Sequence, residues 1–185
     1  MILAAFALPH PPIILPEIGK GREKETQATI DAFDECAKTI ARLKPDIIVV
    51  CSPHKTDSQE LDHGVTVPLY FVNKFYTDYD LVPLGIAGYS LQENFDFGKQ
   101  IASHTDLADK RVVFIASGDL SHALTENAPC GFAEEGALLD LEITAALADG
   151  DFERLMRIPL ELAENGKECG LRPFAMMAGV LNGLK

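Results

Sequence analysis

The chain has 185 residues, which is enough for one domain with a full hydrophobic core and short for two. Its formal net charge of −12 excludes the basic stripe of a nucleic-acid-binding protein and argues against docking on anionic lipid. No apolar run approaches membrane-spanning length, and the apolar N-terminus lacks the basic flank of a signal peptide, so we expect a cytoplasmic protein with no nucleic-acid or membrane partner.

The first half of the chain predicts alternating strands and helices. Residues 2–8 are a short apolar run that indicates a buried strand, and the proline-rich loop after it is expected to be extended. Apolar residues three and four apart predict a helix over residues 22–43, and DIIVVC predicts a second buried strand over residues 46–51. The stretch VTVPLYFVNKFY is ambiguous between strand and helix, and we favour a helix with Pro68 in its first turns.

The second half continues the alternation. Strands are predicted at residues 80–88 and 111–116, separated by a helix over residues 90–104 with Ser90 as N-cap and Glu93 completing a capping box. Three helical segments follow, at residues 133–148, 151–158 and 172–184. This order predicts an α/β fold with a mostly parallel central sheet flanked by helices.

Three of the five histidines directly follow predicted strands. His10 comes after the first strand, His54 after the second and His122 after the strand RVVFIA. The carboxyl ends of parallel strands meet at one edge of a sheet, so these imidazoles are expected to converge there. His63, in an Asp-His-Gly turn, is within reach of the same edge, whereas His104 is expected on the surface. Metal binding or acid/base catalysis explains such a convergence most simply.

Other functions are weighed against this one. Ser52, Ser117 and Ser121 lie near histidines, but the G-x-S-x-G pattern of a hydrolase nucleophile and the glycine-rich phosphate-binding motifs are absent. The four cysteines form no C-x-x-C pair, so we expect free thiols. If the histidines merely fill turns, replacing His10 or His54 by alanine changes neither metal content nor stability.

Five motifs in a fixed order carry a family resemblance across the whole chain. They are PHPPIILPEIG, a strand ending in SPH, ELDHG-x-x-VPLYF, a strand ending in ASGDLSH, and ECGLRPF. This combination resembles the class III extradiol dioxygenase (LigB-like) superfamily, and it looks closest to the Memo-related branch. The resemblance implies an α/β sandwich around a mixed sheet, and non-haem Fe(II) held by two histidines and one carboxylate. It also implies a small aromatic diol and O₂ as substrates.

Carried over to this sequence, the resemblance assigns a role to each candidate residue. His10 and His54 match the two metal-ligating histidines, His122 matches the acid/base histidine, and His63 matches a second histidine facing the substrate. The third ligand has two candidates, Glu168, which corresponds to the glutamate of ring-cleaving members, and Cys169, which corresponds to the cysteine of Memo-like proteins. A thiolate shifts the metal preference towards Zn or Cu and favours a non-oxygenase metal-binding, redox or protein-interaction module.

The resemblance carries expectations about the rest of the protein as well. Family members have a longer segment between the SPH and DHG turns, whereas only KTDSQELD joins His54 to His63 here. A shortened segment removes part of one wall of the site. Residues 1–185 are expected to form one LigB-like domain, the N-terminal part of a longer polypeptide with an AMMECR-type partner domain. We also expect a homo-oligomer.

Overall fold

The computed structural model describes residues 1–54, 61–107 and 109–184, which form alternating strands and helices. The strands are β1 (Ile2–Leu8), β2 (Ile47–Ser52), β3 (Asp80–Gly85) and β4 (Val112–Ser117). The α-helices are α1 (Pro16–Gly19), α2 (Gln27–Leu43), α3 (His63–Val72), α4 (Leu91–Ala102), α5 (Glu134–Asp149), α6 (Phe152–Met156), α7 (Leu160–Gly166) and α8 (Leu171–Leu181). Short 3-10 helices cover Pro12–Ile14, Arg22–Thr26 and Thr105–Leu107.

The central sheet has the strand order β1-β4-β2-β3, and each of these three pairings is parallel. The predicted α/β class with a mostly parallel, helix-flanked sheet is therefore confirmed. Parallel pairing makes the strands end at one edge, so the loops that follow Leu8, Ser52 and Ser117 emerge side by side. The pairing Leu8↔Ser117 brings the ends of β1 and β4 into register at this edge.

Each face of the sheet supports its own hydrophobic core, because successive side chains of a strand point to opposite faces. Ile48, Val50, Val113 and Ile115 pack on one face against α2 and α3. Val49, Cys51, Phe114 and Ala116 pack on the other face against α4, α5 and α8. Strands β2 and β4 are buried at every position, which explains their continuous apolar sequences.

Helix α8 is fixed against α4 by two glycines at points of backbone contact. A Cβ on Gly98 would lie 2.1 Å from the Met176 carbonyl oxygen, and one on Gly179 would lie 1.9 Å from that of Phe95. This close packing holds the first residues of α8 beside the carboxyl edge of the sheet. Although α8 is largely buried, no helix in the described ranges is long and apolar enough to cross a membrane.

The remaining helices agree with the predictions in part. The ambiguous stretch around Pro68 forms α3, and the Ser90–Glu93 capping box at the start of α4 is confirmed. The helix predicted from residue 22 is a 3-10 segment up to Thr26, whose hydroxyl donates to the Glu23 carbonyl. Helix α7, which starts after Pro159, was not predicted from the sequence.

The proline-rich loop after β1 is also less extended than predicted. Its prolines take the first positions of two short helical turns, Pro12–Ile14 and Pro16–Gly19. Proline is well suited to these positions, because its fixed φ matches the helix and its missing N–H would have no partner there.

Candidate metal centre

Loops from the carboxyl edge of the sheet deliver His10, His54 and Asp119, and α3 and α8 complete the surroundings. His10 follows β1, His54 follows β2, Asp119 follows β4, His63 is the first residue of α3, and Cys169 precedes α8. Residues distant in sequence thereby meet in one place.

His10 lies at the centre of this arrangement and is only 2% exposed. Its Nδ1 lies 2.9 Å from the buried Ser117 hydroxyl, and its backbone N–H donates to Asp119 Oδ1 at 2.6 Å. When Nδ1 carries the ring proton and donates it to Ser117, Nε2 presents a lone pair to the other side of the ring. The strand-end pairing of β1 with β4 thus fixes the direction of the His10 ring.

Two groups of potential ligand atoms surround His10. His10, His54 and His63 form the first, in which the ligand atoms lie within 4.8 Å of one another, and the His10 and His54 Nε2 atoms are 3.2 Å apart. His10, Asp119 and Cys169 form the second, with Cys169 Sγ 3.5 Å and Asp119 Oδ2 4.0 Å from His10 Nε2. His10 belongs to both groups, so its buried imidazole is the ligand that the two groups share.

These distances fit a single metal ion. Two imidazole nitrogens that each lie about 2.1 Å from an ion are roughly 3.0–3.4 Å apart, when the nitrogen–metal–nitrogen angle lies between its octahedral and its tetrahedral value. The observed separation of 3.2 Å between His10 and His54 falls in this range. A thiolate and an imidazole on a tetrahedral ion lie roughly 3.6 Å apart, close to the 3.5 Å between Cys169 and His10. Each of these two pairs is therefore spaced like two ligands of one ion, whereas His10, His54 and Cys169 do not together form a group whose ligand atoms all lie within 4.8 Å of one another.

Burial shifts the pKa values of His10, His54 and Cys169 in the direction that favours their uncharged forms. It lowers the pKa of His10 to about 4, although the neighbouring Asp119 carboxylate opposes the change. Burial, together with the nearby His63, lowers the pKa of His54 too. Burial raises the pKa of the Cys169 thiol to about 12. Near neutral pH the two imidazoles are neutral, which is the form that binds metals.

Glu168, the second candidate for the third ligand, has a different partner. Its Oε2 accepts a hydrogen bond from the Leu171 backbone N–H at 2.5 Å, at the start of α8, and burial raises its pKa. Within the described residues Glu168 belongs to neither group of potential ligands, whereas Cys169 belongs to one. The carboxylate nearest to His10 among these groups comes from Asp119 instead.

The two predicted catalytic histidines border the cluster on its accessible side. His63 is exposed, and its ring centroid lies 4.3 Å from that of His54 and 5.2 Å from that of His10. The side chain of His122 is 31% exposed, and its Nε2 lies 3.3 Å from Asp119 Oδ2. His104, which was expected to be a surface residue, is exposed and distant in the fold, after α4.

Two side chains, Ser117 and Asp62, have roles beside the histidines that were not predicted from the sequence. Ser117, the last residue of β4, contacts His10, and Asp62 caps α3 by accepting from the Gly64 N–H at 2.6 Å. Asp62 Oδ1 also accepts from the Ser52 hydroxyl at 2.9 Å, and its buried Oδ2 has no hydrogen-bond partner in the described part of the chain. The Asp residue directly before His63 was the available signal for the cap.

Comparison with known proteins identifies the family. The model of the catalytic LigB subunit of aromatic ring-opening dioxygenase matches residues 4–59 and 54–185. The chain belongs to the LigB family. Protein CA_C1420 of Clostridium acetobutylicum is 31% identical over 243 residues, which cover 97% of this chain and 52% of that protein. The chain therefore spans about half the length of this relative.

The LigB match also bears on the short connection between His54 and His63. Its two segments overlap at residues 54–59, so the match is interrupted at this connection. The alignment with the clostridial relative runs over 243 residues and is longer than this chain of 185, so the relative contains additional residues. Residues 55–60 lie outside the described residues.

Proposed function

We propose that this LigB-family chain is an Fe(II)-dependent, extradiol dioxygenase-like protein that acts on a catechol-type aromatic diol with O₂. The observation that carries the proposal is the convergence of the His10 and His54 Nε2 atoms at 3.2 Å beside two further histidines on the accessible side. Membership of the LigB family supports dioxygenase-like chemistry at this site. His10, His54 and Cys169 would hold the metal, with Glu168 as the alternative third ligand.

A bound Fe(II) would supply adjacent binding positions for the diol and O₂. His10 is a preorganised ligand, because Ser117 and Asp119 fix its ring and its backbone before any metal binds. Burial of His10 also excludes water from the inner side of the site. Among the described residues of the cluster, His54, His63 and His122 are more accessible than His10, so we expect substrate to approach from their side.

His122 is positioned to hold the substrate proton. When its Nε2–H is donated to the Asp119 carboxylate, Nδ1 carries a lone pair that can accept a proton from a diol hydroxyl. The imidazolium that results remains paired with Asp119, which stabilises the positive charge until the proton is returned. Exposed His63, next to His54, would orient the substrate through a hydrogen bond.

A second function is favoured by Cys169. The Cys169 Sγ lies 3.5 Å from His10 Nε2 and accepts from the Asp119 N–H at 3.2 Å, whereas the Glu168 carboxylate accepts from the Leu171 N–H at the start of α8. A thiolate ligand suits Zn or Cu better than the carboxylate of a ring-cleaving iron site. In this alternative the chain is a Memo-like metal-binding or redox module that does not consume oxygen.

Metal content and oxygen uptake together distinguish the two functions. The protein would be purified anaerobically, reconstituted with Fe(II), Zn or Cu in separate samples, and compared with four ligand variants: His10→Ala, His54→Ala, Cys169→Ser and Glu168→Gln. His104→Ala and Cys130→Ser are matched controls, because both residues are exposed. Metal content is measured by elemental mass spectrometry, and oxygen uptake is measured with catechol as the substrate.

About one Fe(II) per chain, lost in both histidine variants, and oxygen uptake with catechol would support the dioxygenase. Zn or Cu that is lost in Cys169→Ser, with no oxygen uptake in any sample, would support the metal-binding module. Wild-type protein that binds none of the three metals after reconstitution would rule out both functions.

A further inference from the structure

Among the described residues, the one group of potential ligands that contains both His10 and His54 is completed by His63. The ligand atoms of these three imidazoles all lie within 4.8 Å of one another. Cys169 shares a group with His10 but not with His54. Glu168 belongs to neither group. The geometry therefore favours a third imidazole where the family resemblance offers a thiol or a carboxylate.

The positions of the three rings agree with a common ion. An imidazole nitrogen lies roughly 1.1 Å from the centroid of its ring, so rings bound through nitrogens about 2.1 Å from one ion have centroids roughly 4.5–5.2 Å apart at octahedral to tetrahedral angles. The centroid of His10 lies 5.1 Å from that of His54 and 5.2 Å from that of His63. The centroids of His54 and His63 are 4.3 Å apart, so only a small rotation of the exposed His63 side chain is needed to bring every pair into this range.

A hydrogen-bond network holds the backbones of His54 and His63 beside each other. The Ser52 hydroxyl accepts from the His54 N–H at 3.2 Å and donates to Asp62 Oδ1 at 2.9 Å. The same oxygen of Asp62 accepts from the Gly64 N–H at 2.6 Å in the first turn of α3. A Cβ on Gly64 would lie 2.3 Å from the Ser52 Oγ, so the start of α3 packs directly on the end of β2. Two of the three imidazoles are therefore preorganised by the fold.

Two carboxylates beside the cluster supply the negative charge that three neutral imidazoles lack. Asp119 Oδ2 lies 4.0 Å from His10 Nε2, and Asp62 directly precedes His63. The Oδ2 atom of Asp62 is buried and has no hydrogen-bond partner in the described part of the chain. A divalent cation held by the imidazoles would balance both charges, and buried charges in proteins are normally balanced in this way.

We propose that His10, His54 and His63 together bind the metal ion in the substrate-free protein. The proposal rests on metal binding, which both functions proposed above share. Three imidazoles already satisfy the usual minimum of protein ligands in a catalytic metal site, before Cys169 or Glu168 takes part. His10 is buried and His63 is exposed, so His63 is the ligand that a substrate can reach and replace. Once a diol has taken its position, the His63 ring is available for the hydrogen bond to substrate proposed above.

Nuclear magnetic resonance of the histidine rings tests this ligand set without an activity assay. The full chain is labelled with ¹⁵N-histidine, stripped of metal with a chelator and titrated with Zn, which binds imidazole and has no redox chemistry. Two-bond ¹H–¹⁵N correlation spectra identify each ring nitrogen that binds the ion, and single histidine-to-alanine variants assign the signals. We expect metal-bound nitrogens from three rings in wild type, those of His10, His54 and His63.

The Zn affinity of two variants provides a second measurement, by competition with a chelator of known affinity. His63→Ala should bind Zn at least about tenfold more weakly, because even a residue that only supports a ligand typically contributes that much. Its spectrum should retain two metal-bound rings. His104→Ala is the matched control, because His104 is exposed and belongs to neither group of potential ligands. This variant should keep three metal-bound rings and the wild-type affinity.

The outcomes separate this inference from the proposed function. Metal-bound nitrogens from His10 and His54 alone, or from His122 in place of His63, would overturn the inference and leave the proposed function standing. No metal-bound nitrogen in wild type would overturn the inference together with both functions. Three metal-bound rings in a protein that takes up no oxygen with Fe(II) and catechol would support the inference and contradict the dioxygenase.

Discussion

Gly118 and Gly170 pack backbone against backbone, so that a Cβ on Gly118 would lie 2.2 Å from the Gly170 Cα. This contact joins the end of β4 to the start of α8. It allows the Cys169 and Gly170 N–H groups to donate to the Asp119 carbonyl and the Asp119 N–H to donate to Cys169 Sγ. The position of the thiol next to His10 depends on the absence of two side chains.

Gly118→Ala should therefore damage both the fold and the metal site. The methyl group meets main chain, which cannot move aside easily, so we expect a loss of about 2–4 kcal/mol of unfolding free energy and weaker metal binding. Urea unfolding and metal titration measure the two effects. Gly131→Ala is the control, because open space surrounds Gly131 and the substitution is unfavourable only through the positive φ of 74°. We expect this variant to lose about 1 kcal/mol of unfolding free energy. Equal effects of the two substitutions would contradict the role given to the glycine contact.

Ser117→Ala should weaken metal binding while leaving every candidate ligand in place. The hydroxyl of Ser117 fixes the His10 ring through Nδ1 at 2.9 Å, and loss of such a supporting contact typically costs about 10–100-fold in metal affinity. The measurement is a competition titration against a chelator of known affinity. Ser103→Ala removes a hydroxyl at the exposed end of α4 and should leave the affinity unchanged. An unchanged affinity in Ser117→Ala would show that His10 does not need this contact.

Burial of His10 makes the stability of the metal-free protein depend on pH. Its pKa is about 4 in the folded chain and about 6.5 in the unfolded chain, so between these values the unfolded chain binds a proton that the folded chain does not. Stability should fall as the pH decreases through this window, by up to about 3 kcal/mol from this residue. Urea unfolding of chelator-treated wild type and His10→Gln at several pH values isolates the contribution. The same pH slope in both proteins would argue against it.

Asp62 should act on the site through helix α3. It accepts from the Gly64 N–H and the Ser52 hydroxyl, and His63 is the first residue of the helix that it caps. Asp62→Ala should lower the unfolding free energy by about 1 kcal/mol. Asp62→Asn keeps an accepting oxygen and should retain most of this stability. Thermal unfolding of the two variants tests the cap, and equal loss in both would point to the charge of Asp62 rather than to capping.

The placement of His10, His54 and His122 could be predicted from the sequence, because the prediction requires only local strand patterns and the rule that parallel strands end at one edge of a sheet. Each histidine follows an apolar strand, and parallel strands end at the same edge. The strand order could not be predicted, because pairing between distant strands leaves no local pattern. The contact between Cys169 and His10 depends on the strand order and on the position of helix α8. Before the structure was known, only the family resemblance indicated that Cys169 belongs to the site. The interruption of the helix at Thr26 was missed because side-chain bonding to nearby backbone competes with helix formation there.

The pairing of β1 with β4 has a consequence for biosynthesis. Residues 2–8 leave the ribosome before their hydrogen-bonding partners at residues 112–117, which follow roughly 5–20 s later at ordinary rates of translation. During this interval the apolar strand β1 lacks its partner β4, and exposed apolar strands make a nascent chain prone to aggregation. Cys169 emerges later still, so a complete set of candidate ligands exists only after Cys169 has left the ribosome. Metal uptake in a translation reaction would thus report on completed folding of the whole domain.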